Sequence, residues 1–209
     1  ARTRERLPVL PVLVRIVEQR RTASQALLDT ARNTPPGQGF TTAGQTLIRA
    51  VTPLAAPHKI WVDDPATGKR RDLALEEDHA FWAWATVEVL RATGVRVEEL
   101  LELSHHSLVQ YRLPSTGELV PLLQILPSKT DAERLLLVSP ELAEVLSAII
   151  SRVRARTGAV PLVAGYDRHE RTWSPPTPLL FQRRHATEDR GITPETIRRI
   201  LTTALAHTG

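Results

Sequence analysis

The chain has 209 residues, 42% of them hydrophobic and 24% charged, with a formal charge of +4; this is ordinary for a protein that buries a core and excludes a disordered tail. Cysteine is absent, which excludes a disulfide framework and any thiolate zinc site and suits a reducing cytoplasm. No apolar run approaches the roughly 18 to 20 residues of a membrane span, and ARTRERLPVLPVLVRIVEQRR lacks a signal peptide's cleavage pattern, so the chain reads as soluble, cytoplasmic and without a membrane partner.

From the N-terminus, Arg4 to about Ala31 reads as a helix: Leu10, Leu13, Val14 and Val17 recur at helical spacing, and TPPGQG stops it. Between Phe40 and Lys69 the pattern is weak, punctuated by Pro53, Pro57, Pro65 and Gly68, with one short strand and turn in IWVDDPATGKRRDL. Asp72 is placed to cap a helix through EEDHAFWAWATVEVLRA, with Phe81, Trp82, Ala85 and Val89 on one side and an acidic first turn that suits the helix dipole. After TGVR a short helix turns Val97, Leu100, Leu101 and Leu103 inward. SLVQY, LVPLLQIL and RLLLV, joined by PSTGE and PSKTDAE, then predict three antiparallel strands.

Ser139 as cap and Pro140 in the first helical position open the next helix, with Leu142, Val145, Leu146, Ile149 and Val153 at helical spacing and Gly158 as its stop. From Val160 to Gly191 the chain is rich in Pro and Arg and is expected to be irregular apart from a short PLLF segment. A last helix starts at Thr193 and Pro194, with Ile197, Ile200, Leu201 and Leu205 on one face. The expected fold class is α+β, mainly α-helical, with a small three-stranded antiparallel sheet. One compact domain is expected rather than two.

The cations are almost all arginine: of 27 Lys and Arg residues, only Lys59, Lys69 and Lys129 are lysines. Arginine's planar fork of donors suits phosphate, so nucleic acid is a reasonable partner, although GC-rich coding produces the same bias with no function attached. Within LRATGVRVEELLEL, a helix capped by Thr93 would put Arg96 in the third helical position, among free amides that already make the environment positive. A cation there suits an incoming anion. Glu99 lies on the same face and can hold the guanidinium, making Arg96 a phosphate clamp; an Arg96–Glu99 pair facing water is the alternative. Lys129 sits in the turn PSKTDAE, where an ammonium can protonate a leaving oxygen as arginine scarcely can, or is simply solvated. Arg134, Arg183 and Arg184 are further candidates for DNA contact. His105 and His106 are adjacent and have no carboxylate at ligand spacing, so no metal site is expected. The chain lacks methionine and begins at Ala1, which suggests a piece of a longer protein.

LRATGVRVEELLELS, followed by SKTDAERLLLVSPEL, resembles the catalytic domain of the tyrosine recombinases, the phage-integrase family of site-specific recombinases. The resemblance runs from about Asp72 to the end. It implies a partial integrase-like catalytic domain over 72–209, behind a helical and irregular region over 1–71 that is either separate or the start of the same domain. By the same resemblance Arg96 is the first of two arginines on the scissile phosphate, Lys129 the acid that protonates the leaving 5′ oxygen, and Thr93, Gly94 and Glu99 supporting residues. The implied reaction is site-specific DNA recombination or integration by transesterification. A tyrosine hydroxyl attacks the phosphate and forms a 3′-phosphotyrosyl link, and the 5′ hydroxyl of another strand reverses the step. No metal or nucleotide cofactor is required. The implied partners are double-stranded DNA attachment sites and, when the enzyme is complete, a homotetramer on that DNA.

The family's His-x-x-Arg box is missing, because none of the seven histidines is followed by Arg three residues on. The two tyrosines, Tyr111 and Tyr166, lie upstream of where a nucleophile belongs. PLLFQRRHATEDRGITPETIRRILTTALAHTG reads instead as the segment before the box. These 209 residues are therefore expected to hold only the first half of the active site, with no nucleophile, and to be inactive alone. The alternatives are a non-catalytic DNA-binding remnant or regulatory decoy of an integrase, and a helical domain unrelated to DNA.

Overall fold

A computed structural model describes residues 10–54, 56–126, 132–155, 157–167, 172–185 and 188–206. Among them the chain is α+β, with five α-helices and several small antiparallel sheets. The chain divides into two compact units. One is Ala1–Trp84 with Arg199–Gly209, the other Ala85–Arg198.

In the first unit, helix α1 (Leu10–Asn33) precedes a four-stranded antiparallel sheet of β1 (Gly39–Thr42), β2 (Gln45–Arg49), β3 (Trp61–Asp64) and β4 (Lys69–Asp72), in that spatial order. The weak pattern between Phe40 and Lys69 therefore conceals a sheet. Its first hairpin turns on Ala43 and Gly44, with φ of 50° and 71°, between the paired ends Thr42 and Gln45. Two consecutive left-handed residues make the turn that matches strand twist. Ala-Gly carries none of the Asn or Asp signal that usually announces such a turn. Leu47 and Val62 point from the sheet onto Leu27, Leu28 and Ala31 of α1, and Leu73 completes the cluster.

Helix α2 (Leu73–Thr93) starts after Asp72, whose carboxylate accepts the Leu75 amide at 3.4 Å. Every residue from Ala80 to Val89 is buried, so FWAWATVEV is not a one-sided amphipathic stripe. Thr86 and Glu88 are buried along with the apolar residues, and Trp82 and Trp84 are core residues here.

The second unit continues with α3 (Val97–Glu102) and a single 3-10 turn at His105–Ser107. Next come β5 (Leu108–Arg112), β6 (Leu119–Ile125) and β7 (Arg134–Leu137), which form the expected three-stranded antiparallel sheet in the order β5-β6-β7. Alternation gives it two unlike faces. Leu123 and Ile125 are buried, whereas the face carrying Val109, Tyr111, Val120, Leu122, Leu135 and Leu137 leaves Tyr111, Leu135 and Leu137 exposed.

Helix α4 (Pro140–Arg154) opens as its sequence requires: the Ser139 hydroxyl accepts the Leu142 amide at 3.2 Å and Pro140 follows the cap. Val160 to Gly191 is less irregular than expected. It holds two hairpins, β8 (Tyr166–Asp167) with β9 (Thr172–Trp173), and β10 (Gln182–His185) with β11 (Glu188–Gly191). Charged strands such as QRRH and EDRG lack the alternating apolar residues by which a strand is recognised. Between the hairpins, Leu180 and Phe181 of the PLLF segment are fully buried; the Leu180 amide donates to Leu103 O and the His105 amide to Pro178 O, each at 2.8 Å. Helix α5 (Pro194–Ala206) buries Ile197, Ile200 and Ala204, while Leu205 is exposed. No helix among the described residues is long and apolar enough to cross a membrane.

Candidate functional site

The site is built at the junction of α2 and α3. Gly94 takes a left-handed φ of 66°, and its amide donates to Leu90 O at 2.9 Å, closing α2 with a single backward bond of the kind that glycine favours. Thr93 belongs to this ending. Its hydroxyl donates to Val89 O at 2.6 Å, so it does not cap the helix that follows.

Arg96 is accordingly displaced from the register expected for it. It is the N-cap of α3, with extended φ and ψ of −76° and 158°, not the third helical residue. The third position falls to Glu99, whose Oε2 accepts the Arg96 backbone amide at 2.8 Å. This is the glutamate half of a capping box. The capping-box glutamate is present three residues beyond Arg96, because the turn at Gly94 and buried Val95 delays the start of the helix. The first intrahelical bond, from the Leu100 amide to Arg96 O at 2.9 Å, agrees with that start.

Arg96 itself is exposed. With only six residues α3 has a short dipole, so the guanidinium is the larger source of positive potential at this end.

Glu99 is 3% exposed, which is rare for a carboxylate unless it is paired. Its second oxygen, Oε1, accepts Nη2 of Arg134 at 2.6 Å. The Arg96 amide, followed by the hydrogen bond and charge of Arg134 and the charge of Arg96, hold this carboxyl below the ordinary glutamate range in spite of burial, which pushes the other way. Arg134 is the first residue of β7 and pairs with Ile125 of β6. It therefore closes the connection, residues 126–133, that carries Lys129. Lys129 lies outside the described residues.

Arg183 and Arg184 stand on a separate hairpin. Arg183 faces Arg190 across β10 and β11, and Arg184 faces Asp189. The Arg184–Asp189 pair is 3.8 Å apart, and Arg190 pairs with Glu188 at 2.9 Å. Like charges directly opposite weaken a ribbon, and the neighbouring carboxylates offset this. The described contacts thus join Arg96, Glu99 and Arg134, Thr93 and Gly94 form the ending of α2 just before them, and Arg183 and Arg184 stand on the β10–β11 hairpin.

Comparison with protein-family models, with curated proteins and with solved structures finds no match. The described residues contain no group of three or more His, Asp or Glu side chains that could hold a metal ion.

The link from Glu99 to Arg134 is the contact at this site that the sequence did not announce. It spans 35 positions in the chain, and helical periodicity carries no information at that range. The available signal is a glutamate in an otherwise inward-facing stretch, VEELLEL, which burial obliges to find a cation.

Proposed function

We propose that this chain carries the first half of a tyrosine-recombinase active site and binds double-stranded DNA, with Arg96 holding a nonbridging oxygen of the scissile phosphate. The observation that carries the proposal is the mounting of Arg96. An exposed guanidinium leaves an N-cap whose amide is fastened to a buried carboxylate, directly before a three-stranded antiparallel sheet with a lysine in its second connection. An arginine offered to water needs no such anchorage; one that meets a transferring phosphate benefits from it, because preorganised donors aimed at developing charge are worth about 3 to 4 kcal/mol each.

In the proposed reaction a tyrosine supplied from outside these residues attacks the phosphorus. Its hydroxyl proton passes to solvent water, the P–O5′ bond breaks as the Tyr O–P bond forms, and Lys129 gives its proton to the departing 5′ oxygen. The phosphotyrosyl link conserves the bond energy for return by the incoming 5′ hydroxyl. Arg96 neutralises the charge that builds on the nonbridging oxygens, and the integrase-like fold belongs to the same proposal.

Duplex binding tests the reading. The 209-residue chain should bind a random-sequence duplex at low salt, with an affinity that falls steeply as salt rises. Arg96→Ala should weaken binding by about tenfold, the value of one charged hydrogen bond to phosphate. No measurable binding at about 50 mM salt sinks the proposal in favour of a domain unrelated to DNA.

A further inference from the structure

We infer that Arg134 is a positioning residue for Arg96, acting through Glu99. The inference rests on the recombinase reading for its functional meaning. Its physical basis is independent of that reading.

Arg134 is a cation at a strand end, and the simplest role for such a residue is a direct phosphate contact. Its geometry argues otherwise. Nη2 is committed to Oε1 of Glu99 at 2.6 Å, and the Glu99 side chain is 2% exposed. Each carboxylate oxygen has a separate duty: Oε2 takes the Arg96 amide and Oε1 takes Arg134. With both occupied, the carboxylate has one orientation, and so has the backbone from which the Arg96 side chain leaves. Without Arg134 a buried carboxylate keeps only part of its compensation and must reorient, gain a proton or draw in another cation.

The sheet sets where Arg134 stands. It is the first β7 residue and its ladder partner is Ile125. A shift of β7 along β6 would carry its guanidinium away from Glu99.

The experiment is a double-mutant cycle on the 209-residue chain with a short random-sequence duplex as probe. Arg134→Met and Glu99→Gln are each made with Arg96 present and in an Arg96→Ala background, and Arg134→Lys is the conservative variant. Arg134→Met should weaken binding about tenfold when Arg96 is present and about twofold or less when it is absent, because the loss passes through Arg96. Glu99→Gln should behave likewise, and Arg134→Lys should recover part of the loss.

An equal loss in both backgrounds, with a salt slope shallower by about one, means that Arg134 touches phosphate itself and overturns the inference. If Arg134→Met fails to fold by circular dichroism, Glu99→Gln and Arg134→Lys carry the same cycle. Hydrogen exchange at the Arg96 amide is read in parallel without DNA. It should accelerate in Arg134→Met, and unchanged exchange overturns the positional link. Absence of duplex binding by the parent chain instead overturns the recombinase reading and leaves the amide exchange to decide the link.

Discussion

Arg49 and Ala31 are joined across the first unit by a hydrogen bond from Nε to the carbonyl oxygen at 3.2 Å. Ala31 lies in the last turn of α1, where carbonyls have no helical partner. The same guanidinium donates to Ala50 O, to Trp61 O at 2.8 Å and to the Thr52 hydroxyl at 3.0 Å, while Arg49 is only 8% exposed. It is a second donor to Ala31 O and Trp61 O, which also accept the Thr34 and Ala50 amides at 3.4 and 2.9 Å, and it ties a helix end, a strand and a loop together. Arg49→Met keeps the stem and removes all four bonds, at about 1 to 3 kcal/mol for an acceptor left dry. A loss of about 3 kcal/mol is expected in urea unfolding, with Arg49→Lys recovering a minor part, since one ammonium does not span the fork. An unchanged midpoint would mean that water replaces the guanidinium.

Acid stability should report Glu99. Its carboxyl is held below the ordinary value of 4.5, first by the Arg96 amide and then by Arg134. A folded-state value below the unfolded one gives stability that is fully present above the unfolded value and is lost as pH falls through the folded one. The parent should therefore lose stability more steeply below 4.5 than Glu99→Gln, which has no proton to take up there. Parallel curves of unfolding free energy against pH for the two proteins would contradict the assignment.

Gly94 isolates a purely conformational effect. A Cβ added there meets nothing within 4 Å, yet φ is 66°. Gly94→Ala should cost about 1 to 2 kcal/mol with no steric contribution, and Gly94→Asn should recover most of it, because asparagine tolerates the left-handed region. Thermal melts of the three proteins measure this. Equal melting temperatures for alanine and glycine would show that the turn relaxes out of the left-handed conformation.

The two faces of the β5-β6-β7 sheet should respond differently to truncation. Leu123 is fully buried and Leu137 is 68% exposed. Leu123→Ala should cost about 2 to 5 kcal/mol, the range for a leucine cut from a packed core, and Leu137→Thr should stay within about 0.5 kcal/mol. A large loss at Leu137, measured by urea unfolding at several protein concentrations, would reveal that this face is covered.

Elements announced by local chemistry were legible in the sequence. The three strands from Leu108 to Leu137 show apolar alternation between turn residues, and α4 carries its Ser139-Pro140 opening and its helical spacing. Of the four-stranded sheet only the strand Trp61–Asp64 and the turn after it were legible, because the Ala-Gly turn and the strands GFTT and KRRD offer weak local preference. The hairpin of β10 and β11 was missed for a related reason: its residues are charged, and pairing rather than periodicity defines it.

At the candidate site the sequence by itself determined the parts: a glycine able to turn left-handed, an arginine two residues later, and a glutamate three beyond that. Only the tertiary structure decided their relations. Where α3 begins depends on how Gly94 ends α2, and that moves Arg96 to the N-cap. What satisfies Glu99 depends on the register of β7, which brings Arg134 across 35 positions of chain to a carboxylate that burial would not otherwise tolerate. Local propensity acts over a turn or two of chain, whereas desolvation of a charge is settled by whichever residue the fold brings beside it.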